Sequence, residues 1–262
     1  MKEIIKNKEA WSLLSKDHYE HYKKLIEQGN FQLNEHILKE LGDIKGKSLI
    51  HLQCNTGADT IALKNLGLNK AIGVDLSDRN VYYATKMANE FNLKDISFLA
   101  SNVLELDQIH HETYDIVFTS EGVLGWLPDL KRWAEVIRHL IKPNGFFYVY
   151  DSHPFFHLLD EEKIKEGILE AKYDYFDAKA DLGYDIGGYA GNPKKGENYW
   201  WNHTLSDIIN SLINVGFKIE FLHEYDTLFW DNGNMKEVSR GLYQYDAFKG
   251  KLPLSYSIKA SL

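Results

Sequence analysis

Ser48-Leu49-Ile50-His51-Leu52-Gln53-Cys54-Asn55-Thr56-Gly57 is the stretch that decides the fold. A short apolar strand runs into a polar turn that closes at Gly57, and a helical pattern follows as far as Gly67, a glycine placed to end it. A second strand over 70–75 then ends in an acid, Ala71-Ile72-Gly73-Val74-Asp75. Strand, turn, helix and acid-tipped strand in that order place a nucleoside-type cofactor at the carboxyl edge of a parallel sheet. The turn aims backbone N–H groups at a helix N-terminus. Asp75 offers its two oxygens to the hydroxyls of a ribose.

The same alternation continues on both sides. Ser77 suits an N-cap, and Val81, Ala84, Ala88 and Phe91 follow at helical spacing. Strands are expected over 96–100 and 114–119. A helix carrying Leu130, Trp133, Ala134, Ile137 and Ile141 on one face starts near Pro128 and stops before Pro143. Pro143-Asn144-Gly145 makes a turn before a fifth strand over 146–150. Strands alternating with helices imply parallel βαβ units. Thr204-Leu205-Ser206-Asp207 resembles a capping box, and the helix it opens closes at Gly216. The apolar runs 217–225 and 254–260 have no helical pattern between them, so they pair antiparallel. The expected fold class is α/β. It is a Rossmann-like, seven-stranded, mostly parallel sheet with helices on both faces, an antiparallel last strand and an aromatic-rich insertion.

Four segments follow: an N-terminal helical cap over 1–42, a cofactor-binding core over 43–151, an insertion over 152–203, and a C-terminal helix with a strand pair over 204–262. Trp11, Tyr19 and Tyr22 fall on candidate inner faces of the cap. The insertion shows no clear period.

At 262 residues the chain is long enough to bury a core without covalent staples. Its formal charge of −8 argues against nucleic acid as a partner. Cys54, the sole cysteine, excludes an internal disulfide and a cysteine-clustered metal site; no metal is expected. Met1-Lys2-Glu3-Ile4-Ile5-Lys6 lacks the apolar stretch of a signal peptide, and no run is long enough to span a bilayer. The expectation is a cytoplasmic monomer or homodimer that engages neither membrane nor nucleic acid and acts on a small molecule.

A dinucleotide site usually carries Gly-x-Gly-x-x-Gly. Only Gly57 of that set is here; Gln53 and Asn55 stand where glycine is commonest. Their side chains hinder the close approach of a pyrophosphate, whereas S-adenosylmethionine carries no phosphate. The chain resembles class I S-adenosylmethionine-dependent methyltransferases, strongly over about 35–151 and more loosely beyond. It is most similar to a bacterial subgroup whose first motif is His-Leu-Gln-Cys, here His51-Leu52-Gln53-Cys54. Thr119-Ser120-Glu121-Gly122-Val123-Leu124-Gly125-Trp126-Leu127-Pro128-Asp129-Leu130, His153-Pro154 and Leu252-Pro253-Leu254 carry the same likeness.

The resemblance implies methyl transfer from S-adenosylmethionine, leaving S-adenosylhomocysteine. It implies that Gln53, Cys54, Asn55 and Gly57 wrap the methionine end and that Asp75 binds the ribose. Leu76 and Val103 would sandwich the adenine, and Asn102 would meet its amino group. Ser120 and Glu121 would lie beside the sulfonium. The family usually has an acid where His51 stands. Duller readings compete: Asp75 could simply end a strand, Asn102 could cap the next turn, Cys54 could fill space, and His51 could be a satisfied core histidine. Asp75→Ala is expected to weaken cofactor binding without unfolding the domain.

Methyl transfer is an in-line displacement, so the protein chiefly positions the nucleophile. An alcohol or phenol acceptor also needs a base, for which Glu121 and His153 are the catalytic candidates. His203 is a third candidate, with a structural role more probable. Trp126, His153, Tyr189, Trp200 and His203 are the candidate substrate contacts, several of them in an insertion that could fold over the cofactor as a lid. The competing reading is a non-catalytic S-adenosylmethionine-binding protein of the same fold, favoured by the lost glycines and the missing acid at His51.

Overall fold

The computed structural model describes residues 2–176, 179–187 and 190–262. Helices α1 (Lys2–Glu27) and α2 (Glu35–Leu41) precede strand β1 (Ser48–Leu52). Then come α3 (Ala58–Asn65), β2 (Lys70–Asp75), α4 (Asp78–Glu90) and β3 (Ile96–Ala100). A 3-10 segment (Val103–Gln108) leads to β4 (Tyr114–Ser120), α5 (Leu130–Leu140) and β5 (Ile141–Ser152). The insertion holds α6 (Pro154–His157), α7 (Glu161–Lys165), β6 (Ala180–Ile186) and β7 (Lys194–Trp201). The chain ends with α8 (Leu205–Asn214), β8 (Lys218–Tyr225), β9 (Lys236–Ser239), β10 (Leu242–Gln244) and β11 (Ser255–Ser261).

Seven strands form the main sheet in the order β3-β2-β1-β4-β5-β11-β8. The first five are parallel, and β11 runs antiparallel to both of its neighbours. The order reverses between β1 and β4, which opens a crevice at their carboxyl ends. Both faces of the sheet are covered, so its strands are nearly all apolar. Ile50, Leu52, Val117, Phe147 and Val149 face α5 and α8 through Trp133, Ile137 and Leu212. Leu49, Ile116, Phe118 and Tyr148 pack with Ile37, Leu41 and Leu63 of α2 and α3. The helices start where the expected caps stand. Ser77 Oγ accepts from Asn80 N–H (3.2 Å), and the Thr204–Asp207 capping box is closed in both directions.

Two readings are corrected. The fifth strand begins at Ile141, and 142–145 form a bulge within it: Tyr114 pairs with Ile141 and Ile116 with Phe146. Pro143 fits a bulge because it has no N–H to give the ladder. Within the insertion, where the sequence shows no period, β6 and β7 form an antiparallel hairpin. Its glycines and aromatics hide the period, because Leu182 and Tyr184 both stay largely exposed on β6. The β9–β10 hairpin is four and three residues per strand, too short to announce itself. No helix among the described residues is long and apolar enough to cross a membrane.

The N-terminal helix ties the insertion to the core. Asn7 gives Nδ2–H to the Tyr199 carbonyl (2.8 Å) and takes the Tyr199 N–H (2.7 Å), behaving like one residue of a neighbouring strand. Glu40 pins α2 to the sheet, accepting from Tyr148 (2.6 Å), His223 (2.6 Å) and Tyr225.

Candidate active site

The turn after β1 is shaped by residues that glycine would normally spare. Gln53 (φ 59°), Asn55 (φ 49°) and Glu121 (φ 62°) are all left-handed, and all three meet at the crevice between β1 and β4. Non-glycine residues in that region cost about 1–3 kcal/mol each and persist at sites where function holds them. Gly57 is required on two counts: its φ is 80°, and a Cβ there would sit 2.7 Å from Phe98 and 2.9 Å from Ala84.

Asp75 ends β2 beneath this turn and is nearly buried. Its Oδ2 accepts from Asn55 N–H (2.8 Å), while Oδ1 accepts from Ser77 N–H (2.9 Å) and the Asn80 amide (3.0 Å). Burial pushes its carboxyl above the ordinary range, and those three donors pull it partly back. Both readings of Asp75 therefore hold together: it ends the strand and organises the turn. Helix α1 lies over this group. Ser12 meets Ser77 (2.8 Å), Ser15 donates to Asn80 (2.6 Å), and His18 Nδ1 lies 3.1 Å from Asn55 Oδ1. Because Asn55 Oδ1 also accepts Thr56 N–H (2.7 Å), that contact makes His18 Nδ1 the donor.

Across the crevice, Glu121 accepts from Asn34 Nδ2 (2.9 Å) and Ser120 donates to Asp59 Oδ2 (2.9 Å). Both carboxylates stay partly exposed in an otherwise buried ring of residues. Burial raises the Asp59 carboxyl to about 6. Burial and then the Asp59 charge push Glu121 well above its ordinary value. Gln53 spans the gap, its Nε2 donating to the Val123 carbonyl (2.9 Å). Its Oε1 and Thr56 Oγ1 are buried with no hydrogen-bond partner. Asp151, by contrast, is saturated. It accepts from the N–H groups of Gly122 (2.7 Å), Val123 (3.2 Å), Leu124 (3.0 Å) and Ser152 (2.7 Å), which fixes the loop carrying Glu121.

The other expected residues divide. Cys54 is buried and its thiol raised by burial, so it fills space. His51 faces α3, bonded to Thr60 (2.8 Å), and burial drops its imidazole to about 3. Leu76 borders the crevice partly exposed, while Val103 is buried in the main core. Asn102 caps the 3-10 segment through Leu104 N–H (3.1 Å), and its amide nitrogen is left for another partner.

His153 is turned elsewhere. Its Nδ1 accepts Phe155 N–H (3.0 Å) and its Nε2 lies 3.0 Å from Glu224 Oε1. The Nδ1 lone pair is thus used within the chain, and Nε2 faces the Glu224 carboxylate without hydrogen-bond geometry. His203 Nε2 is 2.7 Å from the Leu127 carbonyl, which holds the loop after Trp126. Tyr189 lies outside the described residues.

Trp126 is the middle of a row of three indoles, edge to face with Trp11 (5.2 Å) and Trp200 (5.1 Å). Helix α1 and the β6–β7 hairpin thus reach the same loop. Of the insertion's other rings, Phe176 is 89% and Tyr184 62% exposed, so these two do not form a lid. Trp200 also lines a small cavity with Asp151, Ser152, His157 and His203. A Cβ on Gly125 would overlap the Trp200 indole. Gly125→Ala is therefore expected to displace Trp200 and cost about 1–3 kcal/mol, seen as a lower thermal midpoint; an unchanged midpoint would contradict this packing.

Asp59, Asn34, Asp151 and His18 were missed by sequence reasoning. Asp59 sits two residues past Gly57 and Asp151 ends an apolar strand, signals as good as that of Asp75. Asn34 and His18 reach the crevice only through tertiary packing.

With the site described, likeness to known proteins can be placed upon it. The sequence model of a methyltransferase-domain family matches residues 43–200, and the chain belongs to that family. It is 31% identical over 120 residues to a demethylmenaquinone methyltransferase of Lactococcus lactis, covering 45% of this chain and 47% of that one. It is 27% identical over 211 residues to a carboxy-S-adenosyl-L-methionine synthase of Nautilia profundicola, covering 78% and 81%. An S-adenosylmethionine-dependent methyltransferase structure from Mesorhizobium loti shares the fold with a TM-score of 0.56 at 16% identity, over 85% of this chain and 94% of that one.

Proposed function

We propose that this protein moves a methyl group from S-adenosylmethionine to a small-molecule acceptor by in-line displacement. When bound, that cofactor supplies an activated methyl group on a sulfonium, and S-adenosylhomocysteine remains. The observation that carries the reading is the convergence of Gln53, Asn55, Gly57, Asp75 and Glu121 on one crevice where the strand order reverses. The residues suit this cofactor. The turn is too bulky for a pyrophosphate, the buried amide oxygen Gln53 Oε1 calls for a donor, and the Thr56 hydroxyl beside it is without a hydrogen-bond partner.

Gln53, Cys54, Asn55 and Gly57 hold the methionine end, with Asp59 replacing the acid absent at His51. Asp75 takes the ribose, Leu76 and Val103 flank the adenine, and the Asn102 amide meets its edge. Ser120 and Glu121 stand beside the reacting centre, and Trp126 and Trp200 wall the acceptor side. Glu121 is the base wherever one is needed. His153 is not proposed for that role, since its Nδ1 accepts Phe155 N–H and its Nε2 is turned to Glu224.

A carboxylated cofactor is the less favoured choice. Its extra carboxylate asks for a cation, and the four arginines are placed elsewhere. Arg132 pairs with Asp107, Arg240 reaches Asn30, Arg138 lies beside Gly216, and Arg79 is exposed on α4. Calorimetry with S-adenosylmethionine is expected to show saturable binding. No binding at millimolar ligand would defeat the reading.

A further inference from the structure

We propose that the acceptor enters this site as an ammonium cation and gives its proton to Glu121. The proposal rests on the methyltransferase reading and names the substrate class of the same crevice.

Charge balance is the first argument. Two carboxylates, Asp59 and Glu121, face the crevice, and their partners Ser120 and Asn34 are neutral. Among the described residues no lysine, arginine or histidine forms an ion pair with either. Asp151 does not enter the balance, because four backbone N–H groups already satisfy it. S-adenosylmethionine brings a sulfonium, an ammonium and a carboxylate, a net single positive charge. It can offset one carboxylate and leaves the other uncompensated. An unpaired charge in a low-dielectric crevice is costly, so Glu121 keeps a proton until a second cation enters opposite it and displaces that proton to solvent.

Position says which carboxylate meets which cation. Asp59 opens α3 directly after the cofactor turn. Glu121 follows β4 and is held by Asn34, which lies outside the turn at the start of α2. Asp59 is thus the cofactor's carboxylate and Glu121 the acceptor's.

Hydrogen-bond balance points the same way, with Gln53 shared between the cofactor and the acceptor. Gln53 Oε1 is a buried acceptor without a donor, on the same amide whose Nε2 is tied to Val123 beyond Glu121. The crevice is rich in acceptors and short of donors. An ammonium carries several donors and no acceptor. The indole row of Trp11, Trp126 and Trp200 borders the same loop, and indole rings attract cations. An anionic acceptor would add a third negative charge and meet no cation.

The chemistry balances. The ammonium proton passes to the Glu121 carboxylate and frees a lone pair on nitrogen. That pair forms the new N–C bond as the cofactor's S–C bond breaks, and sulfur keeps the bonding electrons. The product is an N-methylammonium cation, and the proton taken from the acceptor stays on Glu121.

The test is calorimetric and does not depend on turnover. The full chain is first saturated with S-adenosylhomocysteine. Benzylamine, tryptamine and spermidine are then titrated, with benzyl alcohol, phenol and benzoate as neutral and anionic counterparts. At least one amine is expected to bind about tenfold or more tightly than every counterpart. Its binding heat should vary with the buffer's ionisation heat, and Glu121→Gln should weaken it about tenfold or more. Equal or tighter binding by phenol, benzyl alcohol or benzoate, no binding by any amine, or amine binding indifferent to Glu121→Gln overturns the proposal. The preference among ligands is read on the wild-type chain, so an unstable variant does not shield it. If S-adenosylhomocysteine itself fails to bind, the methyltransferase reading falls and this proposal with it. If it binds and amines show no preference, only the ammonium assignment is lost.

Discussion

Asp75→Ala is expected to lose cofactor affinity and domain stability together. The carboxylate is nearly buried and accepts three hydrogen bonds, from Asn55 N–H, Ser77 N–H and the Asn80 amide. Alanine leaves all three donors without an acceptor. Each stranded buried donor costs about 1–3 kcal/mol, and the three share one site, so a total of about 3–5 kcal/mol is expected. The loss also propagates. Asn80 holds Ser15, Ser77 holds Ser12 and Asn55 holds His18, so the dock of α1 loosens with the turn. Affinity for S-adenosylmethionine should drop further, by about 1.5–3 kcal/mol for the lost charged acceptor, or roughly tenfold to a hundredfold. Thermal unfolding of the ligand-free protein reads the first effect and calorimetry at low temperature the second. A variant that melts like wild type would show that the three donors find other partners. A variant with unchanged affinity would reject the ribose role.

That expectation differs from the one the sequence alone suggests, in which Asp75→Ala weakens cofactor binding without unfolding the domain. Spacing from Gly57 locates the acid at a strand end, but it does not reveal what else the acid holds. Ser77, Asn80 and Asn55 look like a cap, a helix residue and a turn residue in the one-dimensional pattern. Only the fold makes them a single shell around one carboxylate.

The core of the fold was legible for a simple reason. Parallel strands covered on both faces must be apolar throughout, and Ile50, Val74, Val117 and Val149 show that in sequence. Caps such as Ser77 and Thr204 mark helix starts because their side chains satisfy orphan N–H groups locally. The turn proposed to hold the cofactor was legible because Gln53, Asn55, Gly57 and Asp75 belong to one local βαβ unit. The acceptor half was not. Asn34 meets Glu121 across 87 positions of sequence, and Trp11, Trp126 and Trp200 come from three distant segments. No local pattern encodes such meetings. His153 shows the converse: its place after β5 suggested a base, and the neighbour that removes it from that role, Glu224, lies on a strand far along the chain.

The carboxylate pair carries the second large expectation, a contribution to stability that falls as pH rises from about 4 toward neutrality. Burial lifts the folded Asp59 carboxyl from 3.8 to about 6. Between those values the folded chain binds more protons than the unfolded chain, so unfolding becomes easier as pH increases through that window. A shift of two units corresponds to about 3 kcal/mol at full effect. Glu121 moves in the same direction, with Asp59 and Asp151 as the charges facing it and Asn34 as the opposing hydrogen-bond donor. Asp115 works oppositely and at lower pH. Burial would raise it, but Ser48 and Lys142 hold it at about 2, so its contribution disappears only as pH falls below about 4. Those two windows do not overlap, but His51 and His157, which burial lowers to about 3 and about 4, favour folding as pH rises through 4–6.5, so the Asp59 contribution is read as the difference between wild type and Asp59→Asn. Asp59→Asn removes the buried charge while keeping an oxygen for Ser120. It should raise stability at pH 7.5 by up to about 3 kcal/mol, several degrees in thermal midpoint for a chain of this size, and change little at pH 4. The same variant should bind S-adenosylmethionine more weakly, because the cofactor loses the carboxylate that offsets its charge. Unfolding curves across pH 4–8 for both proteins test this directly. If the two show the same pH dependence, or if Asp59→Asn is the less stable at pH 7.5, the carboxylate is not held at an energetic cost and its place opposite a bound cation loses its main support.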